Sequence, residues 1–102
     1  MPYTDQSPYS AELLADVCRI LELPVPVQGT WELPGMKVAG VAVHLQGWTH
    51  PVVFNLDSGE VYYDCSSIGS YNRELTTFLT VCDLLWNKRS RTIVKFIRGL
   101  RP

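Results

Sequence analysis

The chain has 102 residues, of which 46% are hydrophobic and 19% are charged. This size predicts a single domain over residues 1–102, and this composition is that of a core-forming chain and excludes a disordered one. No stretch reaches the ~20 apolar residues that cross a bilayer, and the N-terminus lacks the basic and apolar regions of a secretory signal, which predicts no membrane association. Three cysteines without a Cys-x-x-Cys pair argue against a disulfide scaffold or a zinc ribbon, and they predict a reducing, cytoplasmic location.

The net charge of −1 conceals a polarised distribution of charge along the chain. Residues 1–87 contain ten acidic and three basic residues, whereas residues 88–102 contain six basic residues and no acidic one. These six, the basic patch, are Lys88, Arg89, Arg91, Lys95, Arg98 and Arg101. Such a segment either contacts nucleic acid or an acidic partner, or packs over the acidic body of its own domain, and the charges leave both alternatives open.

The first predicted element is an amphipathic helix that ends before Pro24. Apolar residues recur at helical spacing up to Leu21, and Ser7 or Ser10 supplies the N-cap. Pro24 and Pro26 stop the helix because proline lacks the backbone N–H and biases the preceding residue away from helical geometry.

Period-two segments follow and predict an antiparallel meander. Residues 27–33 form a short strand interrupted by a glycine, and the Pro34-Gly35 pair marks a turn. Residues 38–46 alternate, and Val41, Val43 and Leu45 share one face. A loop that contains Trp48 leads to the next strand.

A hairpin is predicted between residues 51–56 and 60–64. Asp57, Ser58 and Gly59 have the turn chemistry of a three-residue loop, in which glycine supplies the positive φ. A loop of that length places Val53, Val61 and Tyr63 on one face of the sheet. It places Phe54, Leu56 and Tyr62 on the other.

A second helix and a terminal element complete the prediction. The helix carries an apolar face of Leu75, Phe78, Leu79, Cys82, Leu85 and Trp86. Residues 92–97 are interpreted as a strand because they are rich in β-branched residues, although Ser90 and Gly99 suit the caps of a helix. The fold class is therefore α+β, with a meander packed against two helices in the order α-(β)-β-β-β-α-β. The residues expected in the core are Leu14, Val17, Val43, Val53, Val61, Phe78 and Leu79.

Three segments resemble a known family. They are residues 17–30, residues 40–53 with a Gly-Trp-x-x-Pro-Val-Val motif, and residues 58–64 with Ser-Gly-Glu-Val-Tyr-Tyr-Asp. With a later Leu-x-x-Phe-Leu helix, they are similar to a bacterial and plastid family, domain of unknown function 1257, over residues 12–80. The chain departs from the family after residue 64 and in its short basic end. The resemblance implies no activity, cofactor or catalytic residue.

A shorter pattern is similar to a second family. The Gly-x-Val-Tyr turn of the hairpin, followed by a helix with a Phe-Leu pair, resembles immunity proteins related to yeast cell-wall assembly regulators.

Residues capable of chemistry are few and poorly spaced for it. His44, His50, Asp64 and Cys65 contain no ligand pair at helical or strand spacing, so we predict no metal and no other cofactor. Cys65 near His50 could form a nucleophile and base pair, but no residue in the pattern orients the histidine or forms an oxyanion site. No catalytic residues are predicted, and the chain is not expected to be an enzyme.

The predicted functional feature is an apolar surface on the sheet. Because two helices cover one face, the other exposes Phe54, Leu56 and Tyr62, extended by Trp48 in the adjacent loop. In the competing arrangement, residues 27–33 or the C-terminus fold over that face. We predict a protein-interaction module of the adaptor, immunity or defence-related inhibitor type, which binds a protein or a second copy of itself. Nucleic-acid binding by the basic patch is the alternative.

Overall fold

The computed structural model describes residues 9–64 and 73–87, which form two helices and a four-stranded antiparallel sheet. The elements are α1 (Ala11–Ile20), β1 (Val27–Leu33), β2 (Met36–Val43), β3 (Val52–Phe54), β4 (Val61–Tyr62) and α2 (Arg73–Trp86). The strands lie side by side in chain order, as a meander. The predicted α+β class and element order are confirmed as far as α2. The predicted strand at 92–97 and the basic patch lie outside the described residues.

Helix α1 begins and ends with side-chain and backbone caps. The Ser10 hydroxyl accepts a hydrogen bond from the Leu13 backbone N–H at 3.1 Å, so Ser10 is the N-cap. At the other end, Glu22 has a φ of 59°, and the Leu23 N–H donates to the Cys18 carbonyl at 2.8 Å. The helix therefore closes with a turn before Pro24, as the sequence predicts.

The main core lies between the two helices and one face of the sheet. Phe54 on β3 is fully buried, and its ring centroid lies 4.9 Å from that of Tyr9 and 5.5 Å from that of Phe78. The buried members of this cluster are Leu13, Leu14, Val17, Cys18, Val41, Val43, Leu45, Val52, Phe54, Leu75, Phe78, Val81 and Cys82. Val41, Val43 and Leu45 are buried as the alternation predicts, but the strand ends at Val43 instead of residue 46, and Ala42 on the opposite face is buried as well.

The hairpin between β3 and β4 is present, but its loop is one residue longer than predicted. The Asn55 N–H donates to the Glu60 carbonyl at 2.9 Å, which leaves residues 56–59 as a four-residue loop. The Asn55 side-chain oxygen accepts the N–H groups of Asp57 and Ser58, both at 3.0 Å, and this fixes Asn55 as the last paired residue.

The extra loop residue reverses the predicted faces of β3 relative to β4. Val53 pairs with Tyr62, and Phe54 pairs with Val61, so each pair shares a face. The predicted grouping of Val53 with Val61, and of Phe54 with Tyr62, is wrong. Phe54 points into the main core, and Tyr62 lies on the side of the sheet away from the helices.

A smaller apolar cluster occupies the sheet face away from the helices. Its buried members are Leu33, Ala42 and Val53, and the partly buried residues packed on it are Trp31, Val38 and Tyr62. Strand β1 lies beside β2 in the plane of the sheet and adds the Trp31 and Leu33 side chains to this cluster, so residues 27–33 do not fold over the face.

Most of the predicted core is confirmed. Leu14, Val17, Val43, Val53 and Phe78 are buried. Val61 and Leu79 were also expected to be buried, and both are half-buried against the main core. Val61 is half-exposed because β4 is a two-residue strand with no described strand beyond it. Neither described helix is long and apolar enough to cross a membrane.

Candidate interaction surface

The sheet face away from the helices, here called the open face, carries no charged residue at its strand positions. The register assigns Val27, Gly29, Trp31 and Leu33 of β1 to this face, with Met36, Val38, Gly40 and Ala42 of β2, Val53 of β3 and Tyr62 of β4. The alternate positions of the β1–β2 ribbon carry Gln28, Thr30, Glu32, Lys37 and Ala39. Charge is thus confined to one side of the ribbon, and the other side is apolar and aromatic.

Trp31 is the central aromatic residue of the open face. Its indole N–H donates to the Gly40 carbonyl at 3.3 Å, and its ring meets His44 edge to face at a centroid distance of 6.0 Å. The sequence interpretation placed Trp31 on a strand but missed it as a surface residue. Its period-two spacing from Leu33 was the available signal, since both belong to one face.

Tyr62 lies at the far edge of the open face, on β4. Its hydroxyl donates to a Glu60 carboxylate oxygen at 2.9 Å, and this hydrogen bond raises the pKa of Tyr62. At opposite ends of the β1–β2 ribbon, Val27 and Met36 are 49% and 45% exposed. The open face therefore presents solvent-accessible apolar area around a partly covered centre.

The structure separates the four residues predicted for partner binding. Only Tyr62 lies on the open face. Phe54 is fully buried in the main core and is unavailable to a partner in the folded chain. Trp48 and Leu56 are half-buried against the main core, and the Trp48 ring meets Tyr63 at a centroid distance of 6.3 Å. The six residues of the basic patch lie outside the described residues.

The two histidines lie in different environments. His44 is exposed beside Trp31, whereas the His50 Nδ1 lies 3.5 Å from an Asp64 carboxylate oxygen. That nitrogen is buried and has no hydrogen-bond partner among the described atoms. Within residues 9–64 and 73–87, no three His, Cys, Asp or Glu side chains converge as metal ligands. Cys65, the predicted nucleophile candidate, is outside the described residues.

The two described cysteines are buried between the helices and the sheet as free thiols. Burial raises the pKa of Cys18 to about 11 from the ordinary 9.0. Burial, with smaller effects from Cys18 and Asp83, raises the pKa of Cys82 to about 12. Both thiols are therefore protonated at neutral pH and are poor nucleophiles.

These shifts predict a loss of stability in alkali. Above pH 9 the unfolded chain releases thiol protons that the folded chain retains, so the free energy of unfolding falls as pH rises toward 12. For Cys82 the expected fall between pH 8 and pH 10 is about 1.4 kcal/mol. Denaturant unfolding of the wild type and of Cys82→Ala at both pH values isolates this effect, because other titrating groups are common to both. Equal falls in the two proteins would contradict it.

Two clefts among the described residues are small. One of about 210 Å³ is lined by apolar residues such as Leu21 and Leu45 and by Arg73 at the start of α2. Another of about 220 Å³ lies between the β1–β2 ribbon and the hairpin loop. Small-molecule sites usually measure roughly 300–1,000 Å³. A flat apolar surface is thus a better candidate site than either cleft.

Searches against family models, curated proteins and solved structures find no match to this chain. The resemblance to domain of unknown function 1257 stays a prediction. We therefore interpret the function from the open face, where exposed apolar side chains and an absence of strand charge coincide.

Proposed function

We propose that the chain is a non-enzymatic protein-interaction module that binds a protein partner through its open face. The observation that carries this proposal is the segregation of charge on the β1–β2 ribbon. Protein interfaces are depleted of charge at their centres and enriched in Trp, Tyr and Met, and the open face holds Trp31, Tyr62 and Met36. Contiguous exposed apolar surface on a soluble domain usually marks such a contact.

The solvent exposure of individual residues supports the same surface. Val27 and Met36 are about half exposed, and Trp31 and Tyr62 are half-buried. Aromatic residues of this kind lose little side-chain entropy on binding, because their packing already restricts them. The proposed partner is a protein, with a second copy of this chain among the candidates. An adaptor, immunity or defence-related inhibitor role agrees with such a surface.

Nucleic-acid binding by the basic patch is the second candidate. It is favoured by one observation, the six basic residues without an acidic neighbour in residues 88–102. We favour protein binding over nucleic-acid binding because the described residues of the open face have the composition of a protein interface. The two functions differ in the salt dependence of binding and in the residues on which binding depends.

Introducing charge on the open face is expected to abolish partner binding. Met36→Asp places a carboxylate where the partner must exclude water, and Tyr62→Ala should cost about 2 kcal/mol if Tyr62 is a buried anchor of the interface. Tagged wild type captures the partner from its native cells, and titration calorimetry with the purified partner then measures the loss. Ala39→Asp is the matched control, since it adds the same charge to the exposed position on the opposite side of β2.

Two results would contradict the proposal. One is a protein partner that binds Met36→Asp and Tyr62→Ala as tightly as the wild type. The other is tight binding of single- or double-stranded DNA or RNA near physiological salt that is lost when Arg91, Lys95 and Arg98 are replaced by Gln. The second result would establish the basic patch as the functional surface.

A further inference from the structure

Strand β1 is a long sheet edge with few of the features that normally prevent pairing with another chain. It extends over seven residues, and no described strand pairs with the side away from β2. Natural edge strands are usually very short, bulged, or interrupted by Lys or Pro. β4, at the opposite edge, has two residues, whereas Val27–Leu33 contains neither Lys nor Pro and has a continuous register with β2.

The hairpin turn determines which backbone groups of β1 face outward. The two-residue Pro34-Gly35 loop closes on the Leu33–Met36 pair, so that pair exchanges backbone hydrogen bonds across the hairpin. Bonding alternates along an antiparallel strand, so Leu33, Trp31, Gly29 and Val27 bond inward to β2. The N–H and C=O groups of Gln28, Thr30 and Glu32 therefore point away from the sheet.

We propose that β1 pairs antiparallel with β1 of a second copy of this chain, about a two-fold axis at Thr30. This register places Thr30 opposite Thr30 of the second copy and Gln28 opposite Glu32 of the second copy. All three outward residues of each chain then exchange both backbone bonds with the other chain. The two four-stranded sheets become one continuous eight-stranded sheet.

The side chains of β1 are self-complementary in this register. On the charged side of the ribbon, the Gln28 amide of each chain lies opposite the Glu32 carboxylate of the other chain. The two Thr30 side chains lie opposite each other at the axis, and threonine pairs of this kind are favourable across strands. On the open face, Trp31 lies opposite Gly29 of the second copy. In its own chain the Trp31 ring already covers Gly29 and donates to Gly40, so the pairing repeats a tryptophan–glycine contact across the axis.

The same register brings apolar side chains of the two copies side by side. The described chain has three large hydrophobic side chains that are strongly exposed, and two of them, Val27 and Met36, belong to the open face. Leu33 pairs with Met36 within the chain and faces Val27 of the second copy across the axis. Met36, Leu33 and the second Val27 thus form one apolar row on each side of the dimer.

The dimer uses the edge of β1 and leaves most of the open face free. It therefore does not depend on the proposed function. A dimer would present two open faces side by side to a partner. If the chain is a monomer and still binds its partner through the open face, only the proposed dimer is overturned.

Charge substitutions at Gln28 should change dimer affinity in opposite directions. Gln28→Glu creates two like-charge contacts with Glu32 and should weaken the dimer on the order of tenfold, whereas Gln28→Lys creates two ion pairs and should tighten it. Sedimentation equilibrium of the full chain over a range of concentrations gives each dissociation constant. Ala39→Glu, on the same side of the ribbon but one strand farther from the axis, should leave it unchanged.

Thr30→Pro is a second, independent test of the dimer. Thr30 directs its N–H outward, so proline in both chains should remove two bonds of the dimer and none of the bonds to β2. A circular dichroism spectrum matching the wild type, together with a monomer in sedimentation, is the supporting result. A wild type that is monomeric at its highest soluble concentration would overturn the proposal, as would a dimer indifferent to the Gln28 substitutions. A third result would also overturn the dimer: the wild type is a monomer that binds a different protein, and Thr30→Pro loses that binding. The edge of β1 would then be the binding site of that protein.

Discussion

Replacing Gly40 with alanine is expected to lower the free energy of unfolding by about 3 kcal/mol. A Cβ at Gly40 would lie 2.5 Å from the Phe54 carbonyl oxygen and 2.9 Å from a Val53 methyl carbon. The carbonyl belongs to the backbone of a strand that is buried on both faces, so it cannot move aside without disturbing both apolar clusters. Gly40 is also next to Val41, where the pairing of β2 with β3 begins.

Gly29 provides a matched control for this prediction, because it pairs with Gly40 across the β1–β2 ribbon. A Cβ at Gly29 would meet only the Trp31 indole, at an ordinary 3.7 Å. Gly29→Ala should therefore leave stability unchanged or raise it by about 0.5–1 kcal/mol, since alanine loses less backbone entropy on folding. Denaturant unfolding of both variants measures the contrast. Equal effects of the two substitutions would refute the close approach at Gly40.

Truncation of Phe54 is expected to have the largest effect on stability, about 4 kcal/mol for Phe54→Ala. The side chain is fully buried, and the aromatic rings of Tyr9 and Phe78 pack against it from two other parts of the chain. Removing it leaves a cavity that these rings can fill only partly. A domain of this size has a total free energy of unfolding of about 5–15 kcal/mol, so this loss would remove a large part of it.

Phe54→Leu keeps the prediction measurable if the alanine variant does not fold. It should remain folded with a smaller loss, because leucine fills part of the cavity. Leu56→Ala is the control, since Leu56 is half-buried in the hairpin loop and should cost about 1 kcal/mol. Both residues were expected at the partner surface from sequence. A loss at Phe54 no larger than that at Leu56 would show that Phe54 is not a core residue.

Local patterns predicted much of this fold. Helical spacing identified the buried stripe of α1, and Ser10 was one of two caps that the sequence allowed. Alternation identified the two faces of β2, because a strand with the main core on one side must repeat its apolar residues every second position. These predictions depend only on residues close together in the chain, and for this reason they held.

The pairing of β3 with β4 could not be predicted in the same way. Asp57, Ser58 and Gly59 indicate a turn in either a three- or a four-residue loop, and the choice decides which side of the sheet each later residue occupies. The Asn55 side chain makes that choice by accepting two backbone N–H groups of the loop. The role of Trp31 was missed for a related reason, since two of its companions on the open face, Val53 and Tyr62, come from strands that are distant in sequence.

The four-residue loop at 56–59 constrains which changes in chain length this domain can accept. Surface loops usually tolerate insertions and deletions, because the cost of closing a slightly longer loop is small. Here Asn55 holds a four-residue loop, and keeping a loop of that length after a single deletion or insertion would shift the pairing by one position and turn Tyr62 toward the helices and Val61 toward the open face. Related chains that keep this sheet should therefore vary in composition at Asp57, whose loop contact is made by its backbone N–H, while keeping the number of residues between Asn55 and Glu60 unchanged.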